Sequence, residues 1–225
     1  MNRGLSRVIL LTAMLVCALL ACKRKESQGG SGSLSDRAAA LKPDAKKRLA
    51  QVAALAPKVK AEAAVTSNKA VAVKPPRKTV AITGEQWLTD PSRSMPGDEL
   101  RFDNTLLSLC KHSTEREPNS QSDIKYLEEC AALRIVAVVR QRSLKRPKIQ
   151  MKSKTYDQGD LKLDVLVYEL ETATLIGAYD VQVTNDLQLE MPGAEQSEED
   201  WLSLAMSDLK VNAETKIEEK LGINL

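Results

Sequence analysis

Two neighbouring segments, LKLDVLVYEL at residues 161–170 and LIGAYDVQVT at residues 175–184, decide the fold that we expect. Both contain β-branched residues, and the four residues that separate them make a turn-forming gap, so they predict a β-hairpin. The favoured register sets Val165 opposite Tyr179, whereas a slip of one residue would set Val165 against Asp180. The further expected pairs are Val167 with Gly177, Leu163 with Val181 and Leu161 with Val183.

Two earlier segments, residues 133–141 and 148–156, extend the predicted sheet to four strands. The gaps between successive strands are hairpin-sized, so we expect an antiparallel meander. The predicted fold class is α+β. It combines this four-stranded meander with a C-terminal amphipathic helix and two short helices, and a helical or disordered basic spacer precedes it.

The C-terminal helix is predicted to cover one face of the sheet. Ser197 is followed by three acidic residues, which is typical of a helix start, and Gly222 is typical of a helix end. Between them, apolar residues recur at helical spacing: Leu202, Ala205, Met206, Leu209, Ala213, Ile217 and Leu221. Two shorter amphipathic helices are predicted at residues 103–111 and 122–132.

The other face of the predicted sheet is apolar with a basic border. Residues 131–156 hold eight Lys or Arg and no acidic residue, and an apolar patch with a basic rim is typical of a surface that binds an acidic partner. The candidate binding residues are Arg140, Arg142, Lys148, Lys152 and Tyr168. On this view, reversing the charges of Arg140 and Lys152 would leave the fold intact. The alternative is that the short helices cover the patch and the basic residues merely surround it.

Residues 1–21 have the pattern of an export signal. Arg3 and Arg7 precede an uncharged apolar run at residues 8–21, which is shorter than the roughly 20 residues of a transmembrane helix. The run ends in LLAC at residues 19–22, and this tetrapeptide resembles the lipobox of bacterial lipoproteins.

The lipobox resemblance covers the first 22 residues and implies a lipid anchor. Cleavage would leave Cys22 at the amino terminus with a thioether-linked diacylglycerol, usually with a third acyl chain such as palmitate. Two or three acyl chains anchor a protein firmly. Lys23 after the cysteine favours the outer over the inner membrane, with the domain in the periplasm or at the cell surface. The alternative is a plain secretory signal that leaves Cys22 free.

The remaining cysteines predict one disulfide. If Cys17 leaves with the signal peptide and Cys22 carries lipid, Cys110 and Cys130 are the only thiols left, and exported proteins fold in oxidising compartments. A zinc site that combines both cysteines with His112 and Glu129 is the alternative, although its spacing matches no zinc finger.

Charge divides the chain into two parts. Residues 22–80 hold 14 Lys or Arg against 4 Asp or Glu, and residues 81–225 hold 17 against 26. We expect a flexible tether at residues 22–33, an Ala/Lys/Pro-rich helical spacer and linker at 34–80, and the α+β domain at 81–225. Such a basic tether either touches anionic head groups or is a solvated spacer. Pro43 and Pro57 are expected to break the spacer helix into pieces.

The sequence contains no familiar catalytic motif, and we predict neither a cofactor nor a catalytic residue. The expected function is a non-catalytic binding or scaffold module, anchored to the membrane through its lipid. Its partner would be an acidic envelope component, namely a protein, lipopolysaccharide or peptidoglycan, and not nucleic acid. The alternative is a hydrolase that acts on envelope polymers through carboxylates, which would require two converging acidic groups.

Overall fold

The computed structural model describes residues 33–70, 79–90, 100, 102, 105–150, 155–186 and 197–222. The expected signal peptide, the lipidation site Cys22, the tether before Ser33 and the candidate binding residue Lys152 lie outside the described residues. The helices are α1 (Leu34–Ala53), α2 (Ala56–Ala61), α3 (Leu106–Glu115), α4 (Gln121–Ala131) and α5 (Glu198–Leu221). The strands are β1 (Val80–Gly84), β2 (Ile135–Lys145), β3 (Lys148–Gln150), β4 (Thr155–Asp157), β5 (Asp160–Glu169) and β6 (Thr174–Thr184).

The main sheet has four strands in the order β1-β2-β5-β6. Strand β1 runs parallel to β2, and the other two pairs are antiparallel. The α+β class is therefore confirmed, but the purely antiparallel meander is wrong. A parallel neighbour needs a crossover connection, and α3 and α4 lie within the chain that links β1 to β2.

The described parts of the predicted strand at residues 148–156 belong to β3 and β4, which lie outside this sheet. Strands β3 and β4 pair only with each other among the described strands, and β2 pairs directly with β5. Ala137 consequently lies opposite Val167, and Val139 opposite Val165, instead of facing the 148–156 segment. The apolar alternation of β2 suits either neighbour, so the alternation alone could not select the partner strand.

The hairpin of β5 and β6 has the predicted register. Val165 faces Tyr179, and the pairs Val167 with Gly177, Leu163 with Val181 and Leu161 with Val183 are all present. A register shift follows Val167, beyond which Tyr168 lies opposite Leu175 and Glu169 opposite Thr174.

Helix α5 covers one face of the sheet, as predicted. The Ser197 side chain accepts a hydrogen bond from the Asp200 backbone N–H, and Gly222 ends the helix in the left-handed conformation. Buried residues of α5 share one hydrophobic cluster with the inward side chains of all four strands; the helix contributes Leu209, Ala213, Ile217 and Leu221. The buried side chain of Asn185, which follows β6, donates to the Ala205 carbonyl and to Asp208, so it ties the sheet to this helix.

The opposite face of the sheet is covered by the N-terminal helices. Val52 of α1, Leu55 between the two helices and Val59 of α2 are buried against the sheet. Their partners there are Val136, Val138, Leu166 and Tyr168. Residues 34–65 are therefore part of the folded domain and not a separate spacer. The helical prediction for this stretch is confirmed, but Pro43 does not interrupt α1, and Pro57 lies in the first turn of α2. Pro43 and Ala39 are both exposed, so water can bond the Ala39 carbonyl that loses its helical donor.

Helix α1 also buries a disulfide. Cys110 of α3 and Cys130 of α4 are bonded to each other, with a Cα–Cα distance of 5.8 Å, and both are fully buried. Ala38 and Ala45 of α1 pack in the same cluster, since their small side chains let the helix approach closely. The predicted disulfide between the two short helices is confirmed.

Candidate functional site

Arg140, the first of the predicted binding residues, forms hydrogen bonds within the domain. Its guanidinium donates to the Asp164 carboxylate through Nε at 3.3 Å and Nη2 at 2.7 Å. The same group donates to the backbone carbonyls of Val59, Glu62 and Ala63 at 2.9 to 3.1 Å. Arg140 therefore bonds the end of α2 to strand β5, and its side chain retains only 17% of its exposure.

Asp164 is the centre of this arrangement and is fully buried. Its carboxylate accepts from Arg140, from Arg142 Nη1 at 3.5 Å and from the Val65 backbone N–H at 3.2 Å. We call Asp164, Arg140 and Arg142 the Asp164 cluster. A buried carboxylate requires such charged and hydrogen-bonded partners, so the two arginines satisfy a structural need of the domain.

Tyr168, the aromatic residue of the predicted binding face, is also buried beneath the N-terminal helices and is 1% exposed. Burial raises the pKa of Tyr168 to about 12, and the nearby Glu62 carboxylate acts in the same direction. The predicted exposed patch is therefore a core, which agrees with the alternative that helices cover it. The cover comes mainly from α1 and α2, and not from the two short helices that the sequence suggested.

The basic residues around this face meet acidic residues on neighbouring strands. Lys145 lies opposite Asp160 in the β2–β5 pair, and Lys148 lies opposite Asp157 in the β3–β4 pair. Lys148 is the one predicted binding residue that the structure describes as exposed and that lies outside the Asp164 cluster. In the described part of this positive run, Arg140 and Arg142 form ion pairs, and Lys145 and Lys148 have an aspartate at the opposite register position.

The zinc alternative is excluded by the sulfur chemistry. Zinc binds thiolates, and the sulfur atoms of Cys110 and Cys130 are bonded to each other. In the described part of the chain there is also no cluster of three or more residues of the types that commonly bind metals.

A cleft of about 410 Å³ lies between α1, α3 and the chain that follows β1. Its floor is apolar, with Leu49, Val52, Leu88 and Leu107, and its polar rim contains Lys46, Thr89, Lys111, Thr114 and Glu115. This volume falls in the usual range of small-molecule sites. The sequence prediction missed the cleft because it assigned α1 to a separate spacer.

The polar groups of the cleft are already partly paired. Lys111 Nζ lies 2.8 Å from an oxygen of Asp90, and this hydrogen bond raises the pKa of the lysine. Among the described lining residues, Glu115 is the only carboxylate. The cleft can accept an apolar group with a polar end, and its described lining does not present the two converging acids that a carboxylate hydrolase requires.

Comparisons with known proteins found no similarity: no family model, no curated protein and no solved structure matches the chain. Among the described helices, none has both the length and the apolar character that crossing a bilayer requires.

Proposed function

We propose that this protein is an exported lipoprotein whose lipid, attached to Cys22, holds a non-catalytic binding or scaffold module in the cell envelope, with the outer membrane as the preferred site. The observation that carries the proposal is the buried disulfide between α3 and α4. Structural disulfides are typical of exported compartments, and this one agrees with the export pattern at residues 1–22.

The acidic partner predicted from the sequence needs a different binding surface. Arg140 and Arg142 are engaged by Asp164 and by backbone carbonyls, so they are not free to bind a partner. A partner of this kind would contact basic residues that form no internal ion pair. Among the predicted binding residues, Lys148 satisfies that condition, since it is exposed and makes no ion pair with any described residue.

The lipid anchor is tested by Cys22→Ser in the full chain, with Cys17→Ser as the matched control within the expected signal peptide. Cells fed labelled palmitate should label the wild type and the control, but not Cys22→Ser. The Cys22→Ser protein should move to the soluble fraction or stay uncleaved, because the acyl chains are the proposed membrane attachment. A correctly processed Cys22→Ser protein that remains in the membrane fraction would contradict the proposal.

A further inference from the structure

The two helical layers of this domain carry opposite charge. Helices α1 and α2 hold seven Lys or Arg against two Asp, a net charge of +5 over residues 34–61. Helix α5 holds three Lys against seven acidic residues, a net charge of −4 over residues 198–221. These layers pack on opposite faces of the sheet, so the domain is electrically polarised across it.

The neighbouring helices reduce this polarity without removing it. Helices α3 and α4 lie on the side of α1 and hold two Lys against four acidic residues. One of these acids, Glu128 of α4, is already paired with Arg37 of α1 at 3.0 Å, and Glu117, which lies between α3 and α4, is 3.6 Å from Lys42. The layer of α1 to α4 therefore keeps a net charge of +3.

Lys46, Lys47 and Lys60 form the available part of the positive layer. Each is exposed, and none makes an ion pair or hydrogen bond with a described residue. Lys58 is also exposed, and its ammonium donates to the Ala173 carbonyl at 2.8 Å. The two acids on the same helices are Asp36, which is held in the N-terminal cap of α1, and Asp44. We call Lys46, Lys47, Lys58 and Lys60 the α1–α2 lysine surface.

The lysine surface lies close in sequence to the proposed lipid anchor. Eleven residue steps separate Cys22 from Ser33, where α1 is capped. Even a fully extended chain spans at most about 3.6 Å per residue, so Ser33 would lie within about 40 Å of the anchored cysteine. Helix α1, with 20 residues, is about 30 Å long. All four lysines can therefore reach the membrane surface to which the lipid is attached.

We propose that the α1–α2 lysine surface docks on the anionic phospholipid head groups of the membrane that holds the lipid. This inference rests on the proposed lipid anchor and adds an orientation to it. Anionic head groups attract the lysine surface and repel α5, so the domain would lie with α1 and α2 toward the bilayer and α5 away from it. Each lysine near such a surface strengthens binding by about fivefold. The interaction weakens in high salt, since the Debye length falls from about 10 Å at 0.1 M to about 3 Å at 1 M.

The test uses vesicle sedimentation of the chain from residue 22 with Cys22→Ser, which retains every described residue and lacks the lipid. Vesicles of phosphatidylglycerol with phosphatidylethanolamine are compared with vesicles of phosphatidylcholine alone. The test variant combines Lys46→Glu, Lys47→Glu and Lys60→Glu. Its matched control changes the same number of charges on the other side of the sheet: Lys210→Glu, Lys216→Glu and Lys220→Glu. Circular dichroism checks that both variants remain folded.

The parent chain, with its lysine surface intact, should bind the phosphatidylglycerol vesicles in 0.1 M salt and release them in 1 M salt. It should not bind vesicles of phosphatidylcholine alone. The α1–α2 variant should bind at least about tenfold more weakly than the parent chain. The α5 control should bind with the same affinity as the parent chain. The proposal is overturned if the parent chain fails to bind, if the α1–α2 variant binds like the parent, or if the control loses as much. Failure of the lipid anchor would instead appear as unlabelled Cys22 in the palmitate experiment, so the two outcomes are distinguishable.

Discussion

Asp164 is the residue at which the N-terminal segment meets the sheet. Its carboxylate accepts from Arg140 and Arg142 of β2 and from the backbone of Val65, which lies 99 positions earlier in the chain. A buried ion pair offers little net stability over apolar residues, but removing one partner leaves a buried charge without compensation. The contribution of Asp164 is therefore best measured by removing it.

We predict that Asp164→Ala lowers the free energy of unfolding by about 3 kcal/mol, because two arginines and the Val65 N–H lose their acceptor. Asp180→Ala is the matched control, since Asp180 also accepts from Arg142, at 3.4 Å, but is half exposed. That change should cost less than about 1 kcal/mol. Urea unfolding of both variants gives the comparison, and equal losses would contradict a special role of the Asp164 cluster.

Arg140 shows why the sequence could not identify this cluster. A basic residue beside an apolar strand is typical of a solvated border, and this pattern predicts that the charge of Arg140 can be reversed without loss of the fold. Its actual partners are backbone carbonyls 77 to 81 positions away and one carboxylate on the neighbouring strand. Every residue has a backbone carbonyl group, so the residue types near Arg140 do not show which carbonyls accept its hydrogen bonds. The structure predicts that Arg140→Glu places two carboxylates together and destabilises the domain.

At the scale of elements, three helices begin with the same cap. In α1, α4 and α5 a serine before the helix accepts from the N–H of an aspartate three residues later, and that aspartate accepts from the serine backbone in return. The bonds from Ser197 lower the pKa of Asp200, and those from Asn119 and Ser120 lower the pKa of Asp123. The ionised forms of Asp123 and Asp200 are therefore the ones that stabilise their helices.

This lowered pKa predicts how the Asp200→Asn variant depends on pH. A carboxyl group whose pKa falls on folding stabilises the protein above its unfolded pKa, and the stabilisation is lost as the pH falls through the folded value. The wild type should therefore melt at a higher temperature than Asp200→Asn at pH 7, and the difference should shrink as the pH falls below the ordinary pKa of aspartate. Asp44→Asn removes an exposed aspartate outside any cap and should change stability by less than about 0.5 kcal/mol. A difference that stays constant from pH 7 to 2 would contradict the role of the ionised cap.

The elements that the sequence predicted well are those with strong local patterns. The β5–β6 register follows from the positions of apolar side chains along two long strands. Helix α5 follows from its serine cap, from apolar residues at helical spacing and from Gly222. Strand β1 was missed because five residues within a linker-like stretch carry a weak signal, and its partner β2 lies 55 positions away. The packing of α1 was missed because it buries Ala38 and Ala45, and alanine does not mark a core face as leucine does.

At the scale of the whole molecule, the N-terminal helices are part of the core. Without them, Val136, Val138, Leu166 and Tyr168 would face water. We therefore predict that a chain beginning at residue 79 does not form a stable domain, whereas one beginning at residue 33, which keeps every described residue, does.

The deletion is checked by thermal melts followed by circular dichroism, together with binding of a hydrophobic dye. The chain from residue 33 should unfold in one cooperative transition, and the chain from residue 79 should lack that transition and bind the dye, because an apolar sheet face is exposed. Cooperative unfolding of the shorter chain would mean that residues 34–65 are an appendage after all.

The dependence of the N-terminal helices on strands made much later also sets an order of events during synthesis. Val65 needs the carboxylate of Asp164, and Val52, Leu55 and Val59 need the face that β5 completes. At about 5 to 20 residues per second, a ribosome takes roughly 5 to 20 s to add the intervening hundred or so residues. Throughout that interval, Val52, Leu55 and Val59 have no completed sheet face to pack against. A domain that completes its core only after β5 is synthesised stays unfolded during that interval, and an unfolded chain is what the proposed export through a membrane would require.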